Sequence, residues 1–372
     1  MPNTAEPTVG EISSRITQEL APTRFACSSL VPLSGGTANF IFKATLVKPL
    51  EDGTSDVVVK HGEGFVAQHP SLKLSTLRCA VQKLPQATNQ FCSVRTPGLL
   101  HFSPDSSTLV QEYMPDSLNL KSYALRHFSP STPESEKPNV LEVGRALGKW
   151  LRSFHDWAAS PEQEALRSRV RLNKEMQGIK ITYNYERLLS LLEKFPFLED
   201  WKGVFEDIIA KVNAEVADES QLQIIHGDFW TGNILLPDAE IKPDRQVPLF
   251  VIDWEMCQLG MRPLDLGQMI AELYEITLYK DIKAGLWMIE GFLNGYGFVD
   301  DDFAYRTALH VGTHLVGFGT SVPGWGTPEQ VELVAKTGRD IILRAWETDR
   351  CWFEDHDLAP LFQAGSIDDA LK

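Results

Sequence analysis

His226-Gly227-Asp228-Phe229-Trp230-Thr231-Gly232-Asn233, followed by Val251-Ile252-Asp253-Trp254-Glu255, decides how this chain reads. An aspartate, an asparagine five residues on and a second aspartate ending an apolar run are the groups that phosphoryl transfer requires. Asp228 is placed to receive an acceptor's hydroxyl proton. Asn233 and Asp253 offer the hard oxygen ligands that suit Mg²⁺. The competing reading is a polar turn between strands, with Asp253 capping a helix. Against it, three roles occur in the right order, each beside a short apolar strand. His226 reads as structural, its ring holding the loop.

Upstream, Leu33-Ser34-Gly35-Gly36-Thr37-Ala38-Asn39 lies between two β-type runs. Glycines there let backbone N–H groups approach phosphate oxygens, although Ser-Gly-Gly between strands is also an ordinary hairpin turn. Neither GxGxxG nor GxxxxGK[ST] is present, so Rossmann and Walker-type sites are excluded. Val57-Val58-Val59-Lys60 ends an apolar strand in a lysine. Alone that is a solvated edge lysine; twenty-odd residues after the glycine turn it is the expected cation for nucleotide phosphates. No Asp or Glu occurs between Glu63 and Asp105. An acidic partner for Lys60 is therefore missing from the helix expected over Leu72–Leu84, where Gln82 is the best-placed polar residue. Gln111-Glu112-Tyr113-Met114-Pro115 closes this region. Adenine would meet main-chain groups near Glu112 to Met114, or the segment is simply a strand end with a proline stop.

The elements around these motifs change character at Tyr113. Before it, a helix over 9–21 precedes strands at 25–33, Asn39–Val47, Asp56–His61, Pro97–Phe102 and Thr108–Tyr113. After it, helices dominate: Val140–Ala159, Arg187–Glu193, Leu198–Val216, Leu264–Tyr279, Ile282–Tyr296 and Pro328–Thr348. Only Gln223–His226, Ile234–Leu236 and Leu249–Ile252 read as strands there, flanking the chemistry. The fold class expected is α+β: a small antiparallel-sheet lobe over residues 1–113 and a larger, mostly helical lobe over 114–372.

Composition narrows the partners. The 372 residues carry 35 basic and 50 acidic side chains, a formal net charge of −15, which disfavours nucleic acid and anionic membranes. It also repels ATP, so a nucleotide site needs a local positive centre. Five scattered cysteines without a CxxC pair fit a reducing compartment. With no signal-like amino terminus and no apolar run of ~18 residues, the cytoplasm is the expected location. Asp265, in Arg262-Pro263-Leu264-Asp265, either caps a helix or turns inward to bind loop N–H groups. His310 and His314, one helical turn apart, lack the glutamate and third ligand of a zinc site and read as core or pocket residues.

The spacing His-x-Asp-x-x-x-x-Asn matches the catalytic loop of protein kinases, with Gly227 in place of their arginine. Together, residues 33–44, 57–61, 226–236 and 251–269 resemble the aminoglycoside phosphotransferase/choline kinase superfamily. Within it they sit nearest to fungal small-molecule kinases such as the 4-hydroxytryptamine kinases. The resemblance implies a bilobal protein-kinase-like fold, ATP with Mg²⁺, and a small-molecule acceptor. By that match Asp228 is the catalytic base, Asn233 and Asp253 hold metal, and Lys60 binds phosphate. Ser34, Gly35, Gly36, Asn39, Glu112 and Met114 complete the nucleotide contacts. Asp265 follows Asp253 too closely to leave room for an activation loop, which disfavours protein substrates. Acceptor contacts are expected from the helices of 264–348, with Glu272, Tyr274, His314, Trp325 and Glu329 as candidates for holding a cationic ring or amine. The alternative, motivated by the missing acidic partner of Lys60, is a catalytically silent kinase-like module that binds nucleotide or metabolite.

Overall fold

The computed structural model describes residues 7–33, 39–66, 69–73, 85–88, 91–242 and 244–363. The chain divides into two compact units, residues 1–82 with 96–115, and residues 83–95 with 116–372.

In the first unit, Thr8 and Glu11 form a capping box that starts the helix Val9–Leu20. Ile12, Ile16 and Leu20 recur every fourth residue, so one stripe of the helix is fully buried. It joins a core with Phe42, Ala44, Val57, Val59 and Val110, the inward positions of alternating strands. The sheet is antiparallel throughout, in the order Cys27–Pro32, Phe40–Leu46, Asp56–His61, Thr108–Glu112, Leu99–Ser103. Lys60 is thus on the middle strand, opposite Ile41 and Leu109, and 9% exposed. That is not the setting of a solvated edge lysine. The helix expected over Leu72–Leu84 is corrected at its start, because His69–Lys73 is a strand paired with Phe65–Val66. The rest of that segment, Gln82 included, lies outside the described residues.

The second unit is mostly helical around a mixed five-stranded sheet, ordered Ser117–Asn119, Ile234–Pro237, Val247–Val251, Cys92–Arg95, Ala87–Thr88. Cys92–Arg95, from the strand-rich part of the sequence, pairs in parallel with Val247–Val251. A two-stranded ribbon pairs Gln223–Ile225 with Gln258–Gly260. The His226–Asn233 loop therefore starts from one sheet and ends in another, which pins both of its ends.

Two helices carry the support for this loop. Lys137–Ala158 packs on Ala284–Tyr296 through glycines on both sides. A Cβ on Gly144 or Gly148 would lie 2.3 or 1.9 Å from the carbonyl oxygens of Met288 and Phe292, and one on Gly291 or Gly295 would lie 2.2 or 2.1 Å from those of Leu141 and Arg145. Backbones this close exclude any larger residue. This contact fixes His155 near the carboxyl end of the first helix. Pro263–Lys280, with proline at its start, is buried over nearly its whole circumference. Its polar residues Asp265, Gln268, Glu272 and Glu275 recur at helical spacing and so share one face.

Candidate active site

Gly227 adopts φ +80°, and a Cβ there would meet the Met256 carbonyl oxygen at 2.1 Å. A glycine is required where the loop turns. The turn aims the N–H groups of His226 and Gly227 at Asp265, whose Oδ2 and Oδ1 accept them at 2.8 and 2.9 Å. Asp265 thus turns inward, and Arg262 occupies the helix cap position. His155 Nε2 donates to Asp265 Oδ2 at 3.1 Å, and the Tyr296 hydroxyl meets His155 Nδ1 at 2.9 Å. Burial alone would raise the Asp265 pKa, but His155 and the loop around His226 hold it below its ordinary value.

The His226 ring bridges the two halves of the site. Its Nδ1 accepts from the Asp228 N–H at 3.3 Å, and its Nε2 donates to the Ile252 carbonyl at 3.0 Å. Ile252 N–H in turn donates to the Asn233 carbonyl at 3.0 Å. This main-chain stitching ties Ile252, the residue before Asp253, to the loop that carries Asp228 and Asn233. Asn233 Nδ2 donates to both the carbonyl and Oδ2 of Asp228, each at 2.9 Å. Its amide oxygen is the atom left to meet a cation. Asp253 holds φ +68°, ψ +66°, an uncommon conformation for a residue with a side chain. One amide oxygen and one carboxylate in a loop are a donor set that fits Mg²⁺.

Asp228 lines a cavity of about 470 Å³ with Trp230, Gln268, Glu272, Phe318 and Lys121 among its walls. Gln268 Nε2 donates to Asp228 Oδ1 at 2.7 Å and Trp230 Nε1 to Oδ2 at 3.1 Å. Lys180, fully enclosed, donates to Gln268 Oε1. Burial pulls the Lys180 pKa down, against the carboxylates of Asp228, Asp265 and Glu272. Gln268, Lys180, Lys121 and Glu275 escaped the sequence reading. The one signal for Gln268 and Glu275 was the polar stripe they form with Asp265 and Glu272 on an otherwise apolar helix.

The candidate acceptor residues fare unevenly. Glu272 and His314 line the cavity and meet each other, His314 Nε2 to Glu272 Oε1 at 3.1 Å. Trp325 stands over the Lys121 ammonium, 4.8 Å from its ring centroid. Tyr274 points elsewhere, its hydroxyl donating to Asp357 at 2.8 Å, and Glu329 is exposed in the first turn of Pro328–Trp346. His310 is buried against the Tyr185 hydroxyl at 2.7 Å, away from any shared ligand set with His314. In the first unit, Ser34, Gly35 and Gly36 lie outside the described residues. Asn39 and Met114 are buried. Glu112 bonds Gly98 twice, N–H to carbonyl at 2.9 Å and carboxylate to N–H at 3.0 Å. Its side chain is therefore turned to its own sheet.

Burial lowers the pKa of His155, His226, His310 and His314, which favours their neutral form. In the unfolded chain they take up protons below about pH 6.5. Stability from these groups is complete above that value and falls as the pH drops through it. A melting-temperature series from pH 7.5 to 5.5 at fixed ionic strength should show a progressive loss below about pH 6.5.

The chain belongs to the phosphotransferase enzyme family, whose model matches residues 47–304. It is a small-molecule phosphotransferase. The sequence is similar to the phosphotransferase FrzJ of a Cladobotryum species, 27% identical over 373 residues that cover 94% of this chain and 96% of that protein. The 4-hydroxytryptamine kinase of Psilocybe cubensis is 22% identical over 322 residues, covering 82% of this chain and 83% of the kinase. Among solved structures, an ethanolamine kinase of Plasmodium vivax aligns with a TM-score of 0.49 at 12% identity, over 91% of this chain and 89% of that one.

Proposed function

We propose that this chain transfers the γ-phosphoryl group of ATP to a hydroxyl of a small amine- or sugar-containing metabolite, with Mg²⁺ as cofactor. The observation that carries the proposal is the position of the Asp228 carboxylate. It borders a cavity of metabolite size while the same loop holds Asn233 against it. In this reading the acceptor hydroxyl donates to Asp228. As the acceptor oxygen forms its bond to phosphorus, the bond from phosphorus to the leaving ADP oxygen breaks, and the hydroxyl proton passes to Asp228 late in a loose transition state. Asn233, through Oδ1, and Asp253 would hold the metal, which when bound neutralises charge on the phosphates.

This chain's own residues do the positioning. Gln268 and Trp230 fix the Asp228 carboxylate from both oxygens, and Asp265 fixes the backbone on which it rides. Lys60, Asn39 and the strand end at Glu112 and Met114 belong to the same proposal as nucleotide contacts of the first unit, and residues 1–113 and 114–372 as its nucleotide and acceptor lobes. The test is acceptor-dependent ADP release from Mg-ATP across hydroxylated amines and sugars. A rate that rises saturably with one acceptor supports the proposal. A rate equal to the blank for every acceptor, from folded protein, counts against it.

A further inference from the structure

Lys121 stands in the first turn of the helix Leu120–His127, where the helix dipole disfavours a cation. Its ammonium nevertheless lies 2.6 Å from Glu272 Oε2 and 3.8 Å from Glu275 Oε2. The ring centroids of Trp325 and Trp230 are 4.8 and 5.3 Å from it. Two carboxylates and two indole rings around one nitrogen are the groups that recognise a small organic cation. Here the cation is a side chain of the protein.

Each group in the cage has a reason to stay. Glu272 and Glu275 are 6% and 1% exposed, and two buried carboxylates on successive helical turns repel one another unless a cation lies between them. Burial favours the neutral form of Glu272, but the His314 hydrogen bond and the Lys121 charge bring its pKa down to about 2. Burial and the Glu272 charge push Glu275 well up, and the Lys121 charge opposes them. Burial also works against the charge on Lys121, and the two carboxylates outweigh it and raise its pKa. The ligand atoms of Glu272, Glu275 and His314 lie within 4.8 Å of one another, close enough to hold a metal ion, yet the lysine ammonium already occupies that neighbourhood.

We infer that Lys121 is a resident cation filling an acid–aromatic cage, so the acceptor presents no positive charge to this side of the cavity and a quaternary ammonium is excluded from it. The inference rests on the proposal that this cavity holds the acceptor. It makes Lys121 a specificity-determining residue. The part of the acceptor next to Glu272, Glu275 and Trp230 is uncharged, and an amine elsewhere on the molecule is not read by these carboxylates.

Calorimetric titration of the full chain with tetramethylammonium chloride at constant ionic strength tests this. The wild type should show no saturable binding up to about 50 mM, while Lys121→Ala binds at least about tenfold more tightly than that limit. Adding Glu272→Gln to Lys121→Ala should abolish the gained site. Lys121→Met, which keeps the aliphatic stem, serves if the alanine variant does not fold, and thermal unfolding verifies each protein. Wild-type binding within about threefold of the variant, or a folded variant that binds no better than wild type, overturns the inference. No nucleotide or turnover enters the titration. A chain that releases no ADP but shows the gained site would therefore refute the kinase proposal alone.

Discussion

Asp228→Asn should lower the rate of phosphoryl transfer by about 10³–10⁴-fold while Mg-nucleotide affinity stays within about threefold of wild type. The carboxylate accepts from Gln268 on one oxygen and from Trp230 and Asn233 on the other. All three are donors, so an ionised, acceptor-only group satisfies them together. The substituted amide has one oxygen, and its NH₂ must face Gln268 or the Trp230–Asn233 pair. It neither takes the hydroxyl proton nor keeps its neighbours satisfied, and a stability cost of about 1–3 kcal/mol should accompany the loss of rate. Initial rates with saturating acceptor, together with nucleotide titration of the same variant, separate the two effects. Wild-type turnover in the variant would remove Asp228 from the chemistry.

Asp265→Asn should be the most destabilising single-atom exchange near the site, at about 3–5 kcal/mol, with a fall in melting temperature of about 4–9 °C. The Asp265 carboxylate is 1% exposed and accepts from His226 N–H, Gly227 N–H and His155 Nε2. An amide puts an N–H against at least one of these donors with no water to intervene. The loop that carries Asp228 then loses part of its Asp265 anchor, so activity should fall along with stability. Urea unfolding and turnover measured on the same preparation test this. A variant with unchanged midpoint and rate would show that the loop is held by its strands alone.

The parts of this site that were legible in the sequence are those whose signal is local. Asp228, Asn233 and Asp253 announce themselves by spacing and by the short apolar strands around them. The strands of the first unit do so through alternation, as at Val57 and Val59. The fold class follows from the same patterns, an antiparallel sheet and then helices, as the structure has it. What was hidden depends on distant pairing. Cys92–Arg95 is four residues of mixed polarity whose strand character comes from lying beside Val247–Val251. Lys180 and Gln268 are 88 residues apart, and Gln268 and Asp228 are 40 apart. Each alone is an unremarkable polar residue. Asp265 could be read two ways, because a carboxylate in a first helical turn serves equally as a cap. Only the glycine turn at 227, which aims two N–H groups at it, decides the matter. Glu272, foreseen as an amine ligand, lines the cavity, but the cation beside it is Lys121, and nothing local ties that lysine to it.

The most direct measurement of the central claim is mass analysis of candidate acceptors after incubation with the purified chain, ATP and Mg²⁺. The account predicts one acceptor that gains a single phosphoryl group on a hydroxyl, in an amount equal to the ADP formed, and no such product with Asp228→Asn. ADP that accumulates without any phosphorylated acceptor, or a product made equally well by Asp228→Asn, would contradict it.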